Sequence, residues 1–162
     1  MDKYQTNINL KIIFVICLTS IISAYFIEFI LGHKPCNLCL IERIPYWLGI
    51  ILIILNFTFR CKEQFIIILL ILVFSFSSII SFYHFGIEQG FFEESTVCGS
   101  NSISNLLSKE EILKELQIKN VSCKDVTFRI FGFSLTTFNI IISLSFVFIL
   151  TKIIKNYEKF KK

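Results

Sequence analysis

Charge is scarce in this sequence, and what there is avoids the long apolar stretches. Asp, Glu, Lys and Arg make up 17% of 162 residues, against 54% hydrophobic residues and a mean hydropathy of +0.72. That balance excludes an ordinary soluble domain of this size. Alternation of polar and apolar residues is missing, which excludes spanning barrel strands. There is no basic stripe with interleaved stacking aromatics, so the net charge of +4 is not a nucleic-acid footprint. The 19 Phe sit mostly inside apolar runs, as lipid-facing or packing residues. No small-x-small cleavage site follows the first apolar run, which is long enough to be retained as a membrane helix rather than removed as a signal peptide. With only two Pro and six Gly, the chain shows no low-complexity linker, internal repeat or domain boundary. Residues 1–162 therefore read as a single integral membrane domain.

What is present is a set of four apolar stretches, at about 10–31, 39–59, 65–85 and 130–150. Each approaches the ~20 residues that a helix rising ~1.5 Å per residue needs to cross ~30 Å of hydrocarbon. The expected fold is an all-α membrane protein, a four-transmembrane-helix bundle. Arg60-Cys61-Lys62-Glu63-Gln64 is too short for anything but a hairpin between the second and third spans, and its cations mark the cytoplasmic side. Both termini then lie on that side, with Lys3, Lys11, Lys152, Lys155, Lys159, Lys161 and Lys162. Two loops are left on the far side, at 32–38 and 88–129. In the longer one Ser108-Lys109-Glu110-Glu111 is a capping-box pattern followed by Ile112, Leu113 and Leu116, which predicts a short amphipathic helix lying on lipid or against protein.

The cysteines divide by this topology. Cys17 lies inside the first span and Cys61 in the cytoplasmic turn, where both read as bystanders. Cys36, Cys39, Cys98 and Cys123 all fall on the far side, where an oxidising compartment favours a tight Cys36/Cys39 pair and a long-range Cys98/Cys123 pair. A two-residue spacer closes almost no loop, so Cys36-Asn37-Leu38-Cys39 makes a poor staple and a good cycling dithiol. No zinc site is expected, because Cys98 and Cys123 are far apart and no histidine is near them in sequence. Haem attachment needs His after Cys39, and Leu40 stands there. Residues 45–59 alone would span only ~22 Å, so the second helix is expected to begin near Cys39 and to bend at Pro45. Cys39 and Arg43 then share a face, and the guanidinium favours a thiolate at Cys39. Of the ionisable groups near the same surface, His84 is the functional candidate and Glu28 reads as interfacial.

These residues also form a pattern. Gly32-x-x-Pro35-Cys36-x-Leu38-Cys39-Leu40-x-x-Arg43-x-Pro45-Tyr46 is followed by Tyr83-His84-x-Gly86-x-Glu88 and by Cys98. The Ser108-x-Glu110-Glu111 helix start comes next, then Cys123-x-Asp125-Val126-x-Phe128-Arg129-x-x-Gly132-x-Ser134 and Asn139. In this order, on four spans, the chain resembles the DsbB family of disulfide-bond-forming membrane oxidoreductases. The resemblance implies an inner-membrane enzyme with a periplasmic loop that reoxidises a DsbA-like thiol oxidase and delivers electrons to a quinone, ubiquinone or menaquinone. By position it implies that the partner's thiolate attacks Cys98 and that Cys123 resolves the mixed disulfide. Electrons then pass to Cys36/Cys39, and Cys39 hands them to quinone beside Arg43 and His84. Glu42 and Glu28 replace a common Gln, and Phe128 a common Trp, departures that touch the quinone end rather than the reaction class. Two rival readings are a vitamin K epoxide reductase-like protein, whose close pair would sit late in the chain, and a non-enzymatic membrane scaffold with structural disulfides.

Overall fold

The computed structural model describes residues 3–59, 63–93, 98, 123–124, 129–130 and 132–161. The elements are α1 (Lys3–Phe29), α2 (Asn37–Ile41), α3 (Ile44–Phe59), α4 (Glu63–Glu88), a hairpin of β1 (Arg129–Ile130) and β2 (Phe133–Ser134), and α5 (Leu135–Lys161). Four stretches are long and apolar enough to cross a membrane: Gln5–Phe29, Asn37–Thr58, Glu63–Glu88 and Leu135–Asn156. The expected amphipathic helix after Ser108, and Cys61, lie outside the described residues.

The bounds differ from the sequence expectation where local chemistry intervenes. Pro45 has no N–H to give Ile41, and its ring crowds the turn before it, so the second span breaks at Glu42 and Arg43. The break is bridged by short-range bonds, Arg43 N–H to Leu40 C=O at 3.2 Å and Trp47 N–H to Arg43 C=O at 3.3 Å. The fourth helix starts at Leu135 rather than near residue 130, because Arg129 pairs with Ser134 and Ile130 with Phe133 across Gly132. Gly132 takes φ +85°, a left-handed conformation that glycine adopts without the Cβ penalty.

Each helix inserts one narrow face into the core. Leu10, Ile13, Cys17 and Ile21 of α1 meet Tyr46, Ile50 and Ile53 of α3, Ile67, Leu70 and Phe74 of α4, and Phe146, Leu150 and Ile153 of α5. The spacing of three and four is that of one helical stripe. At the centre Phe74 meets Phe146 edge-on at 4.8 Å between ring centroids. The opposite face of α4, Phe65, Ile68, Leu72, Phe76 and Ile79, is apolar too and fully outward. An apolar belt of that extent needs a lipid solvent. Around the bundle α1 packs on α3, α3 on α4 and α4 extensively on α5, whereas α1 and α5 barely touch.

Candidate functional site: a cysteine cluster at one end of the bundle

The end of the bundle that carries α2 gathers Cys36, Cys39, Cys98 and Cys123. Cys36 caps α2 in an extended conformation, its sulfur accepting the Cys39 N–H at 3.3 Å. The Cys36 and Cys39 sulfurs touch at 2.6 Å as free thiols. Cys98 and Cys123 form a disulfide with Cα atoms 5.4 Å apart. Cys36, Cys98 and Cys123 are buried with Leu38 and Ile87, and Cys39 and Tyr83 pack against them. So both pairs share one water-poor cluster.

Behind the close pair stands a chain of buried polar groups. His84, 1% exposed in the last turns of α4, places Nε2 3.6 Å from Cys36 Sγ and Nδ1 3.0 Å from Glu42 Oε1. Thr136 Oγ1 lies 3.3 Å from Nδ1 and donates to Glu88 Oε1 at 2.6 Å. Asn139 donates to Glu42 Oε2 at 3.0 Å and to Ser81 Oγ at 2.7 Å, and accepts from the Tyr46 hydroxyl. Deeper still, the Ser77 and Ser143 hydroxyls meet at 3.1 Å. A buried network with this many shared hydrogen bonds fixes the geometry of its members.

Cys36 lies just before the membrane-spanning part of α2 and α3. Its neighbour Cys39, acting through the thiol contact, holds the Cys36 thiol far below its usual 9.0, at about 4. Burial opposes this, and the hydrogen bond and charge of His84 reinforce it.

Arg43, in the break before α3, takes Glu28 of α1 as its partner at 2.5 Å and lies 5.0 Å above the Tyr25 ring. Glu28, read from sequence as interfacial, is thus the counter-ion of the site's arginine. Cys36, Cys39, Cys123, Arg43 and His84 all line one cavity of about 420 Å³. Its walls come chiefly from α1 and the start of α5, including Ile27, Leu135, Phe138 and Ile142, where those two helices are only loosely packed together.

Glu42, Glu88, Thr136, Asn139, Tyr46 and Ser81 carry no site role in the sequence reading. A signal existed for several of them. Ser77, Ser81, His84 and Glu88 recur at spacings of four, three and four in an apolar helix, and Thr136, Asn139 and Ser143 at three and four. Two such stripes mark two helices facing one another across a polar seam.

Fold and site together define a class, a helical membrane protein that brings two cysteine pairs into one buried cluster. A family model described as disulfide bond formation protein DsbB matches residues 7–153, and the chain belongs to that family. Among curated proteins it is 30% identical over 145 residues to an uncharacterized protein of Rickettsia prowazekii (strain Madrid E). The match covers 88% of this chain and 83% of that one. No solved structure matches. Family membership makes disulfide bond formation the activity class, in a membrane-embedded disulfide oxidoreductase.

Proposed function

We propose that this protein reoxidises a DsbA-like periplasmic thiol oxidase and passes the electron pair to a membrane quinone. The observation that carries the reading is the shared burial of Cys98–Cys123 with Cys36/Cys39, on the wall of a cavity that also holds Arg43 and His84. The partner's thiolate attacks Cys98 and Cys123 leaves as a thiolate. The partner's second thiol, rather than Cys123 as the resemblance implied, resolves the mixed disulfide by displacing Cys98, because attack by Cys123 would only restore the starting disulfide; the partner becomes a disulfide and Cys98/Cys123 a dithiol. The same exchange moves that electron pair from Cys98/Cys123 onto a Cys36–Cys39 disulfide. His84 is placed to take the Cys36 proton, with the Glu42 carboxylate balancing the imidazolium.

The cavity fits a quinone ring. Its volume is within the ~300–1,000 Å³ of small-molecule pockets, and its apolar walls end in a few convergent polar groups. Arg43 keeps N–H donors beyond the one given to Glu28, and with His84 it would hold the ring's oxygens. A quinone there, ubiquinone or menaquinone, supplies the two-electron, two-proton sink that returns Cys36 and Cys39 to the disulfide. The protein is read as lying in the inner membrane with both termini cytoplasmic and the four cysteines periplasmic.

The test is quinone consumption by proteoliposomes given a reduced DsbA-like protein. Cys98→Ser should abolish turnover while quinone still oxidises Cys36/Cys39. Undiminished turnover in that variant overturns the assigned relay. A close pair that stays oxidised with quinone and partner withdrawn identifies a structural staple instead.

A further inference from the structure

The donor atoms at the head of α2 and the end of α4 also have the makings of a metal site. Cys36 Sγ, Cys39 Sγ and a ring nitrogen of His84 all lie within 4.8 Å of one another. With Zn–S bonds of ~2.3 Å and Zn–N bonds of ~2.0 Å, a tetrahedral site has S–N edges of ~3.5 Å and S–S edges of ~3.8 Å. The Cys36 Sγ to His84 Nε2 distance of 3.6 Å already matches. The sulfurs, at 2.6 Å, must part by about 1 Å, which rotation of the half-buried, cavity-facing Cys39 side chain supplies.

Two further observations point to a cation. With its proton on Nδ1 facing Glu42 Oε1, His84 turns the Nε2 lone pair toward the sulfurs, the carboxylate–histidine arrangement that orients metal-bound imidazoles. Glu42 is itself held by Asn139. Beside the ring, Glu88 is 6% exposed at its side chain, and its Oε2 is buried with no hydrogen-bond partner. An orphaned oxygen on a carboxylate whose other oxygen, Oε1, lies 3.8 Å from His84 Nε2 makes the surroundings attractive to positive charge.

The geometry points to a redox-gated site for a thiophilic divalent cation of the Zn²⁺ or Cd²⁺ type, formed by Cys36, Cys39 and His84 only while the close pair is reduced. Binding displaces the proton shared by Cys36 and His84 and the proton of Cys39: one cation joins two thiolates and the neutral imidazole, both protons leave to solvent, and no electron moves. Oxidation to the Cys36–Cys39 disulfide removes two of the three donors and expels the ion. The fourth position opens on the cavity. On the function proposed above, and resting on it, an occupied site stalls the relay with its inner pair held as a dithiolate. The binding itself requires no relay.

The experiment uses the full chain in detergent with Cys98→Ser and Cys123→Ser, reduced, freed of reductant and titrated anaerobically with Cd²⁺. One equivalent should give the ultraviolet sulfur-to-cadmium charge-transfer band, and protein with an oxidised close pair should give none. Cys39→Ser should abolish the band, and Glu42→Gln should weaken binding by about 10–100-fold. Formation of the Cys36–Cys39 disulfide in Glu42→Gln on adding oxidant checks that the pair is still correctly placed. An equal band in Cys36→Ser/Cys39→Ser, no band in the reduced protein, or unchanged affinity in a correctly paired Glu42→Gln overturns the proposal. Stoichiometric Cd²⁺ binding by a protein with no quinone-linked turnover would uphold the site and remove the relay, so the two failures are separable.

Discussion

Cys36 and Cys39 are three positions apart and chemically unequal. Cys36 receives a backbone N–H, a thiol contact and the His84 ring, whereas Cys39 is turned to the cavity. With its pKa down at about 4, Cys36 is a thiolate at every pH above that value and loses its charge only on acidification through it. Alkylation of reduced Cys36 by iodoacetamide, followed by mass spectrometry, should therefore be flat from about pH 5 to about pH 8. In His84→Phe the inflection should move up toward the usual thiol value, so that the rate near pH 6 falls by about tenfold or more. Asn139 is the other residue on which much depends, because it serves Glu42, Ser81 and Tyr46 at once. Asn139→Ala strands a buried carboxylate oxygen and a hydroxyl, and should cost about 2–4 kcal/mol in thermal or denaturant unfolding of the solubilised protein.

Among the elements, the second span shows what periodicity can and cannot deliver. Its length and the break near Pro45 are legible, because proline's missing N–H is a local fact. The direction of Arg43 is not, because it depends on α1 bringing Glu28 and Tyr25 to the break from 15 or more positions away. That ion pair and ring contact tie α1 to the head of α3. Glu28→Ala should lower the unfolding midpoint at a cost of about 2 kcal/mol, with Glu28→Gln retaining part of it through a neutral hydrogen bond. At the end of α4, Gly86 is in contact with Phe92, whose ring stacks on Tyr83; a Cβ at residue 86 would stand 2.1 Å from that ring. Gly86→Ala should force Phe92 aside and cost about 1–3 kcal/mol by the same measurement. The polar seam between α4 and α5 was half legible, as two stripes at helical spacing. Its pairing of Ser77 with Ser143 and Ser81 with Asn139 required the helices to be set side by side.

At the scale of the molecule, the four spans follow from hydropathy, since apolar length is additive along the chain. The convergence of Cys36 and Cys39 with His84 is a product of tertiary packing, separated in sequence by an entire membrane-crossing hairpin. Packing around the bundle is uneven: α5 is bound tightly to α4, whereas α1 is held through α3 and reaches α5 hardly at all. The cavity lies along that seam. On the proposed function the ligand of that cavity is a lipid-soluble quinone, so its occupancy is governed by moles of quinone per mole of phospholipid rather than per litre. Turnover in proteoliposomes should therefore fall when lipid is added at constant protein and quinone, and should be indifferent to the aqueous volume around the vesicles. On the same proposal the cysteines exchange with a soluble partner and answer to ordinary concentration. If so, one small protein works between a two-dimensional solvent and a three-dimensional one, and the loosely packed side of its bundle is where the first of these begins.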